Sequence, residues 1–318
     1  MFDKLQLNGK TAIVTGGTKG IGKGIVEGLA QSGANVVVVS RHQDECDAVA
    51  KEIEKYGVKG LGVKTDVTVA AEVAQLMEKT IAAFGRIDIL VNNAGSAITK
   101  KAEDLTEADW DRVIDMDMKS VFFVTQAAGK YMIQQKSGKI INLASMLGLV
   151  AEKQVLPYCV AKGGVLQMTK ALALEWARYN IQVNAICPGY VITDINKDAL
   201  SEEKVYKHIT GKIPMRRFGE VGDIAGAAIF LASPASDYMT GQQIVLDGGW
   251  TMQLENLQNS SNIGRHSHIR INQRKKYSTI ILPITGVESD CGHRAIALFI
   301  FICYIKYNVN ITLYLGNC

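Results

Sequence analysis

The chain has 318 residues, 47% of them hydrophobic, with 30 glycines and five prolines, enough to bury a substantial core as one large domain or two small ones. Its net charge of +4 comes from the end of the chain: from Thr251 onward there are seven basic and three acidic residues, and taking these from totals of 35 and 31 leaves 28 of each sign before that point. So balanced a body has no electrostatic footprint for nucleic acid, the polar opening MFDKLQLNGK offers no secretory signal, and six cysteines without framework or ligand spacing argue against a disulfide scaffold or a metal centre.

Between Lys10 and Asp247, apolar runs alternate with amphipathic stretches. Strands are predicted at 11–15, 35–40, 60–65, 87–92, 139–144, 181–185 and 243–246, and helices at 21–32, 44–56, 69–84, 109–135, 157–179 and 223–232. Unbroken runs such as Val36 to Val39 indicate strands buried on both faces, hence a parallel sheet between two layers of helices. Right-handed crossovers make this a doubly wound α/β sheet, with its ligand at the carboxyl ends of the strands. No repeat or low-complexity linker interrupts this body.

The first strand leads into Thr15-Gly16-Gly17-Thr18-Lys19-Gly20-Ile21-Gly22 and then a helix. Glycines let the backbone turn sharply and come close to a phosphate, which a helix amino terminus attracts. A plain tight turn has the same composition, but its position after the first strand of an alternating α/β chain favours the phosphate reading. Farther on, residues 138–162 read as a buried strand that delivers Ser145, a turn, and a helix carrying Tyr158 and Lys162. Four residues apart, phenol and ammonium share one helix face. A free phenol with a pKa of about 10 needs a neighbouring cation to serve as acid or base near neutrality, and a serine hydroxyl can stabilise charge on a carbonyl oxygen. A solvated i,i+4 pair would look the same in isolation.

The glycine turn, Asp66-Val67, Asn92-Asn93-Ala94-Gly95, Ser145, Tyr158-x-x-x-Lys162 and Pro188-Gly189 followed by Thr193 together resemble the short-chain dehydrogenase/reductases, over about residues 7–250. The resemblance implies a Rossmann-type doubly wound parallel sheet of about seven strands, a nicotinamide cofactor and a homotetramer. It implies that Tyr158 is the general acid/base, that Lys162 lowers the Tyr158 pKa and binds the nicotinamide ribose, and that Ser145 orients the carbonyl. It also implies that Asp66 bonds the adenine amino group, Asn92 lines the cofactor channel, and Thr193 with the Val191 backbone holds the carboxamide. Gly16, Thr18, Lys19, Gly20, Ile21, Gly22, Val67, Ala94, Gly95, Pro188 and Gly189 complete the cofactor's surroundings. One position departs from the pattern: Asp117 stands where the family carries an asparagine. The resemblance implies that this position holds a proton-relay water partly through its main-chain carbonyl, which aspartate retains, so Asp117 is expected to be tolerated; its carboxylate could instead pair with Lys162, alter its help to Tyr158 and shift the pH optimum.

The second strand ends in Ser40-Arg41-His42. With Arg41 and Lys19 and no acid at this place, NADP(H) is expected over NAD(H), because an acid there would grip a ribose 2′-hydroxyl while cations accept a 2′-phosphate. NAD(H) stays possible, and both cations also read as ordinary surface charges. The region 190–218 reads as a variable lid carrying Lys197, Lys204, Lys207, His208 and Lys212, with Lys100 and Lys101 on the same rim. These lysines could meet a sugar-acid carboxylate, as in the gluconate 5-dehydrogenase-like branch that the body most resembles. They could instead steer an acyl carrier protein, as in 3-oxoacyl-carrier-protein reductases, or simply be solvated. The expected activity is interconversion of a secondary alcohol and a ketone on a small molecule, with no nucleic acid or membrane partner. A cofactor-binding scaffold without catalysis is the rival from another class.

Cys159 beside Tyr158 suits a reduced, cytoplasmic compartment. Residues 251–318, rich in Asn, Ile and Tyr, show no sustained period and resemble translation past a lost stop codon or in a shifted frame. The rival is a membrane-surface or partner-binding tail using Arg274-Lys275-Lys276 and the apolar run at 295–305, which is too short to span a bilayer. His266 and His268 lack partners for a metal site.

Overall fold

Four valines in a row leave a strand no polar face, and Val36 to Val39 are fully buried, covered on both sides as such a run requires. The computed structural model describes residues 2–193 and 196–252, together with two strands farther on. Seven strands make one sheet: β1 (Thr11–Thr15), β2 (Asn35–Ser40), β3 (Gly60–Lys64), β4 (Ile89–Asn92), β5 (Gly138–Leu143), β6 (Ile181–Pro188) and β7 (Gln243–Leu246). All pairings are parallel, in the order β3-β2-β1-β4-β5-β6-β7. The connecting helices are α1 (Gly20–Gln31), α2 (Gln43–Ile53), α3 (Ala70–Phe84), α4 (Glu107–Ile114), α5 (Ser120–Gln135), α6 (Leu156–Trp176), α7 (Lys197–Ser201), α8 (Glu203–Lys212) and α9 (Val221–Ala232). This is the doubly wound, Rossmann-type sheet expected from the alternating pattern.

Side chains alternate across the sheet with period two. Val14, Val36, Val38 and Val91 pack with α1, α2 and α9 on one face, whereas Ile13, Val37, Val39 and Leu90 pack with α3, α5 and α6 on the other. Each fully buried aliphatic side chain contributes about 1.5–3 kcal/mol, so both helical layers are held by many such residues. The strand order reverses beside β1, whose neighbours are β2 and β4. Loops leaving the carboxyl ends of β1 and β4 diverge there and open a cleft.

Three features differ from the sequence reading. The helix expected at 109–135 is two helices joined by a π-helical turn, Asp115–Lys119, which fits one extra residue into the helical path. Strand β6 runs on to Pro188 because β7 pairs with it as far as Leu246. Helices α7 and α8 were not expected, since Glu203–Lys212 is mostly polar and presents only a narrow apolar stripe.

The chain divides into two units, 1–253 and 254–318. In the second, strands β8 (Thr279–Ile284) and β9 (Asn310–Leu315) pair in parallel. His266, His268, the basic run at 274–276 and the apolar run at 295–305 lie outside the described residues. Among the described residues, no helix is long and apolar enough to cross a membrane, and no group of metal-ligating side chains is found.

Leu90 is fully buried in the central strand β4, where close packing limits collapse around a void. Leu90→Ala is expected to lower unfolding free energy by about 2–5 kcal/mol, as read by denaturant titration.

Candidate active site

The cleft begins where β1 stops. Gly16 adopts the left-handed conformation, with φ 62°, and the chain turns over the sheet edge into α1. A Cβ on Gly22 would run into the Gly16 carbonyl oxygen and the Asn93 side chain, so only glycine permits this close pass. No side chain caps α1, which leaves its first amides to face a ligand phosphate. Asn93 staples the turn: its Nδ2 donates to the Thr15 and Gly16 carbonyls at 3.0 and 3.1 Å. The Thr15 hydroxyl accepts from the amides of Asn93 and Ala94 at 2.9 and 3.1 Å.

A single cleft of about 920 Å³ brings together the glycine turn, Arg41, Asp66, Val67, Ala94, Gly95, Asp117, Ser145, Tyr158, Lys162, Pro188, Gly189, Val191 and Thr193. Asn92 is the exception among the residues expected there. Strand alternation turns its side chain toward α5, where it is buried and its Nδ2 donates to Thr125 Oγ1 at 2.8 Å and Asn142 Oδ1 at 2.9 Å. Asn93, one residue on, lines the cleft in its place.

At the outer end, the Asp66 carboxylate accepts from the hydroxyl and amide of Thr68 at 2.7 and 2.9 Å, and these bonds hold it below the usual carboxylate range. Lys19 is not a free cation. Its Nζ lies 2.7 Å from Glu45 Oε1, and Glu45 Oε2 accepts from Thr18 Oγ1 at 3.1 Å. An acid therefore does stand beside Lys19, although none ends β2. It comes from the first turn of α2 rather than the end of β2.

At the inner end, Ser145 follows β5, and its Oγ accepts from the Leu147 amide at 3.1 Å. Beneath it, burial pushes the Cys187 thiol up to about 11, so it stays protonated. Tyr158 and Lys162 sit one turn apart on α6, with Nζ 5.4 Å from the phenol ring centroid. Lys162 is 4% exposed; its Nζ donates to the Leu143 carbonyl at 3.0 Å and lies 3.2 Å from Asp117 Oδ1. The π-helical turn carries Asp117 into this contact, and its Oδ2 accepts from the Ser96 amide at 2.9 Å. Lys162 Nζ makes one hydrogen bond, to Leu143, and one ion pair, with Asp117 Oδ1, which leaves donors for the cleft.

Along the rim, Asn196 acts as a clamp that the sequence reading missed: its Oδ1 accepts from the Thr193 amide at 2.8 Å and its Nδ2 donates to the Val191 carbonyl at 2.9 Å. Its place three residues after Thr193 was the available signal. Tyr190 lines the cleft and packs at a tilt against Trp250, with ring centroids 5.3 Å apart. The rim lysines do not line the cleft. Lys100 pairs with Asp109 at 2.6 Å, Lys207 pairs with Glu203, and Lys212 lies over the Trp250 ring.

The sequence model of the family described as enoyl-(acyl carrier protein) reductase matches residues 16–251. The chain is 41% identical over 251 residues to 2-dehydro-3-deoxy-D-gluconate 5-dehydrogenase of Escherichia coli strain K12, covering 79% of this chain and 98% of that one. The chain belongs to the short-chain dehydrogenase/reductase family. It is also 40% identical over 244 residues to a 3-oxoacyl-[acyl-carrier-protein] reductase of Staphylococcus aureus strain Mu50, covering 76% of this chain and 98% of that one. A crystal structure of a gluconate 5-dehydrogenase from Burkholderia cenocepacia in complex with NADP and tartrate aligns at a TM-score of 0.76 and 35% identity, over 79% of this chain and 99% of that one. This short-chain dehydrogenase/reductase is thus an oxidoreductase acting on a CH–OH group with a nicotinamide cofactor.

Asp117 carries a pH-dependent stability effect. Burial raises its carboxyl above the ordinary range, against the opposing pull of Lys162 and the Ser96 amide. With the folded value above the unfolded one, its contribution is fully present below the unfolded value and lost as pH rises through the folded one. Asparagine does not titrate, and the pull of Lys162 is already contained in the net shift of Asp117. The Tm difference, Asp117→Asn minus wild type, is therefore expected to grow more positive from about pH 4 to pH 7 in thermal scans; a flat difference would contradict it.

Proposed function

We propose that this short-chain dehydrogenase/reductase interconverts a secondary alcohol and a ketone on a sugar acid of the 5-keto-gluconate kind, with NADP(H) preferred. The observation that carries the reading is the meeting of Ser145, Tyr158 and Lys162 with the glycine turn in one cleft. The glycine-only pass at Gly22 and the uncapped α1 terminus fit a dinucleotide pyrophosphate. A nicotinamide cofactor held in this cleft would supply or take up the hydride. In the reductive direction, Tyr158 gives its phenolic proton to the substrate oxygen, and in the oxidative direction it takes that proton back. Lys162, held by Leu143 and Asp117, stabilises the phenolate charge and would offer an N–H to a ribose hydroxyl. The Ser145 hydroxyl donates to the carbonyl oxygen.

Gly16, Thr18, Gly20 and Ile21 cradle the phosphates, Asp66 and Val67 meet the adenine, and Ala94, Gly95, Pro188 and Gly189 let the cofactor lie close to the backbone. Thr193 and the Val191 backbone hold the carboxamide, with Asn196 fixing both. Asp117, when ionised, offsets part of the Lys162 charge felt by the phenol, which sets the pH optimum higher than an asparagine would. The sugar-acid reading rests on the relatives named for such substrates. The relative named as a 3-oxoacyl-carrier-protein reductase supports the second reading. Exposed Phe123, Val160 and Leu174 on α5 and α6 suit packing against further copies in a homotetramer.

Turnover of 5-keto-gluconate with NADPH is expected to exceed that of an acetoacetyl thioester, and Tyr158→Phe to lower kcat by about 10²–10⁴-fold. Steady-state assays on both ketones check this, and a Tyr158→Phe enzyme as fast as wild type would end the proposal. The catalytic body is read as ending near Trp250, with the later residues dispensable. A chain truncated after Met252 is expected to keep wild-type kcat and KM, and loss of turnover would assign the tail a role.

A further inference from the structure

Charge at the outer end of the cleft comes from three separate elements. Lys19 belongs to the glycine turn, Arg41 follows β2, and Glu45 lies in the first turn of α2. The Glu45 carboxylate is bonded at both oxygens, to Lys19 Nζ at 2.7 Å and to the Thr18 hydroxyl at 3.1 Å. It spans from α2 to the turn that cradles the phosphates, and all four residues line the cleft. The Lys19 bond keeps the Glu45 carboxyl below its usual range, so it is an anion across the physiological range. Arg41 is exposed and acts on Asp66 at longer range.

A ligand phosphate beside Lys19 and Arg41 has to share Lys19 with an anion already bonded to it. A hydroxyl at the same place meets no such conflict, because it can donate to the carboxylate. We propose that Glu45 is a specificity-determining residue that weakens binding of a 2′-phosphorylated dinucleotide relative to its 2′-hydroxyl counterpart, tempering the preference set by Lys19 and Arg41. The proposal rests on placing the adenosine ribose of the cofactor at this end of the cleft. Repulsion acts through the charge of Glu45, so it is removed by neutralising that group without shortening it, and it weakens as salt rises.

The test is calorimetric titration of NADP+ and NAD+ into the purified full-length wild type and Glu45→Gln, at low and high ionic strength. The variant is expected to bind NADP+ about three- to five-fold more tightly at low salt, as partly exposed charge pairs allow. NAD+ affinity should stay level or weaken, and the gain for NADP+ should shrink at high salt. Equal NADP+ affinity in both proteins, or an equal gain for both cofactors, would overturn the role of Glu45. A wild type that binds NAD+ as tightly as NADP+ would instead end the NADP preference. If Glu45→Gln still shifted the ratio, Glu45 would keep its role. Matching melting temperatures for the two proteins confirm that the comparison is between folded states.

Discussion

A buried ammonium must be neutralised and hydrogen-bonded where it lies, since an unpaired buried charge costs several kcal/mol. Lys162 meets that demand by drawing on three parts of the chain. The Leu143 carbonyl comes from the end of β5, Asp117 from the π-helical turn, and the ammonium itself from α6. Satisfying one charge thereby fixes α6 against the sheet and sets where Tyr158 presents its phenol. Asp117 is anchored in turn by the Ser96 amide, which ties the loop after β4 into the same group.

The cofactor end relies on a second knot, made of neutral groups. Thr15 and Asn93 bind the ends of β1 and β4, the two strands that meet where the sheet changes direction. Their four hydrogen bonds hold the glycine turn over the sheet edge. Buried ion pairing in the first knot and amide bonding in the second give the two knots different sensitivities, the first to pH and the second to substitution by bulk.

Most of the fold was legible because burial on both faces leaves a coarse mark: valine and isoleucine runs place the strands within a few residues. The four-residue spacing of Tyr158 and Lys162 is local, and so was readable. What escaped depends on contacts between distant residues or on the phase of an element. Glu45 meets Lys19 across 26 positions of sequence, and nothing in the first turn of α2 advertises that partner. Asn92 and Asn93 are chemically alike, and only the alternation of β4 decides which one faces the cleft. The π-helical turn is invisible to a helical pattern, which continues smoothly through it. The lysines of the rim looked available by composition, yet the pairs at Lys100 and Lys207 engage them elsewhere.

The turn at Asp115–Lys119 also constrains chain length. The wider turn absorbs one residue without changing the phase of the helix that follows, so deleting a single residue there would restore a regular helix and leave α5 in register with the core. Val121, Val124, Ala128 and Met132 would stay buried, while Asp117, inside the turn, would lose its aim at Lys162. A one-residue deletion in this short turn should therefore break the ion pair with Lys162 and spare the fold.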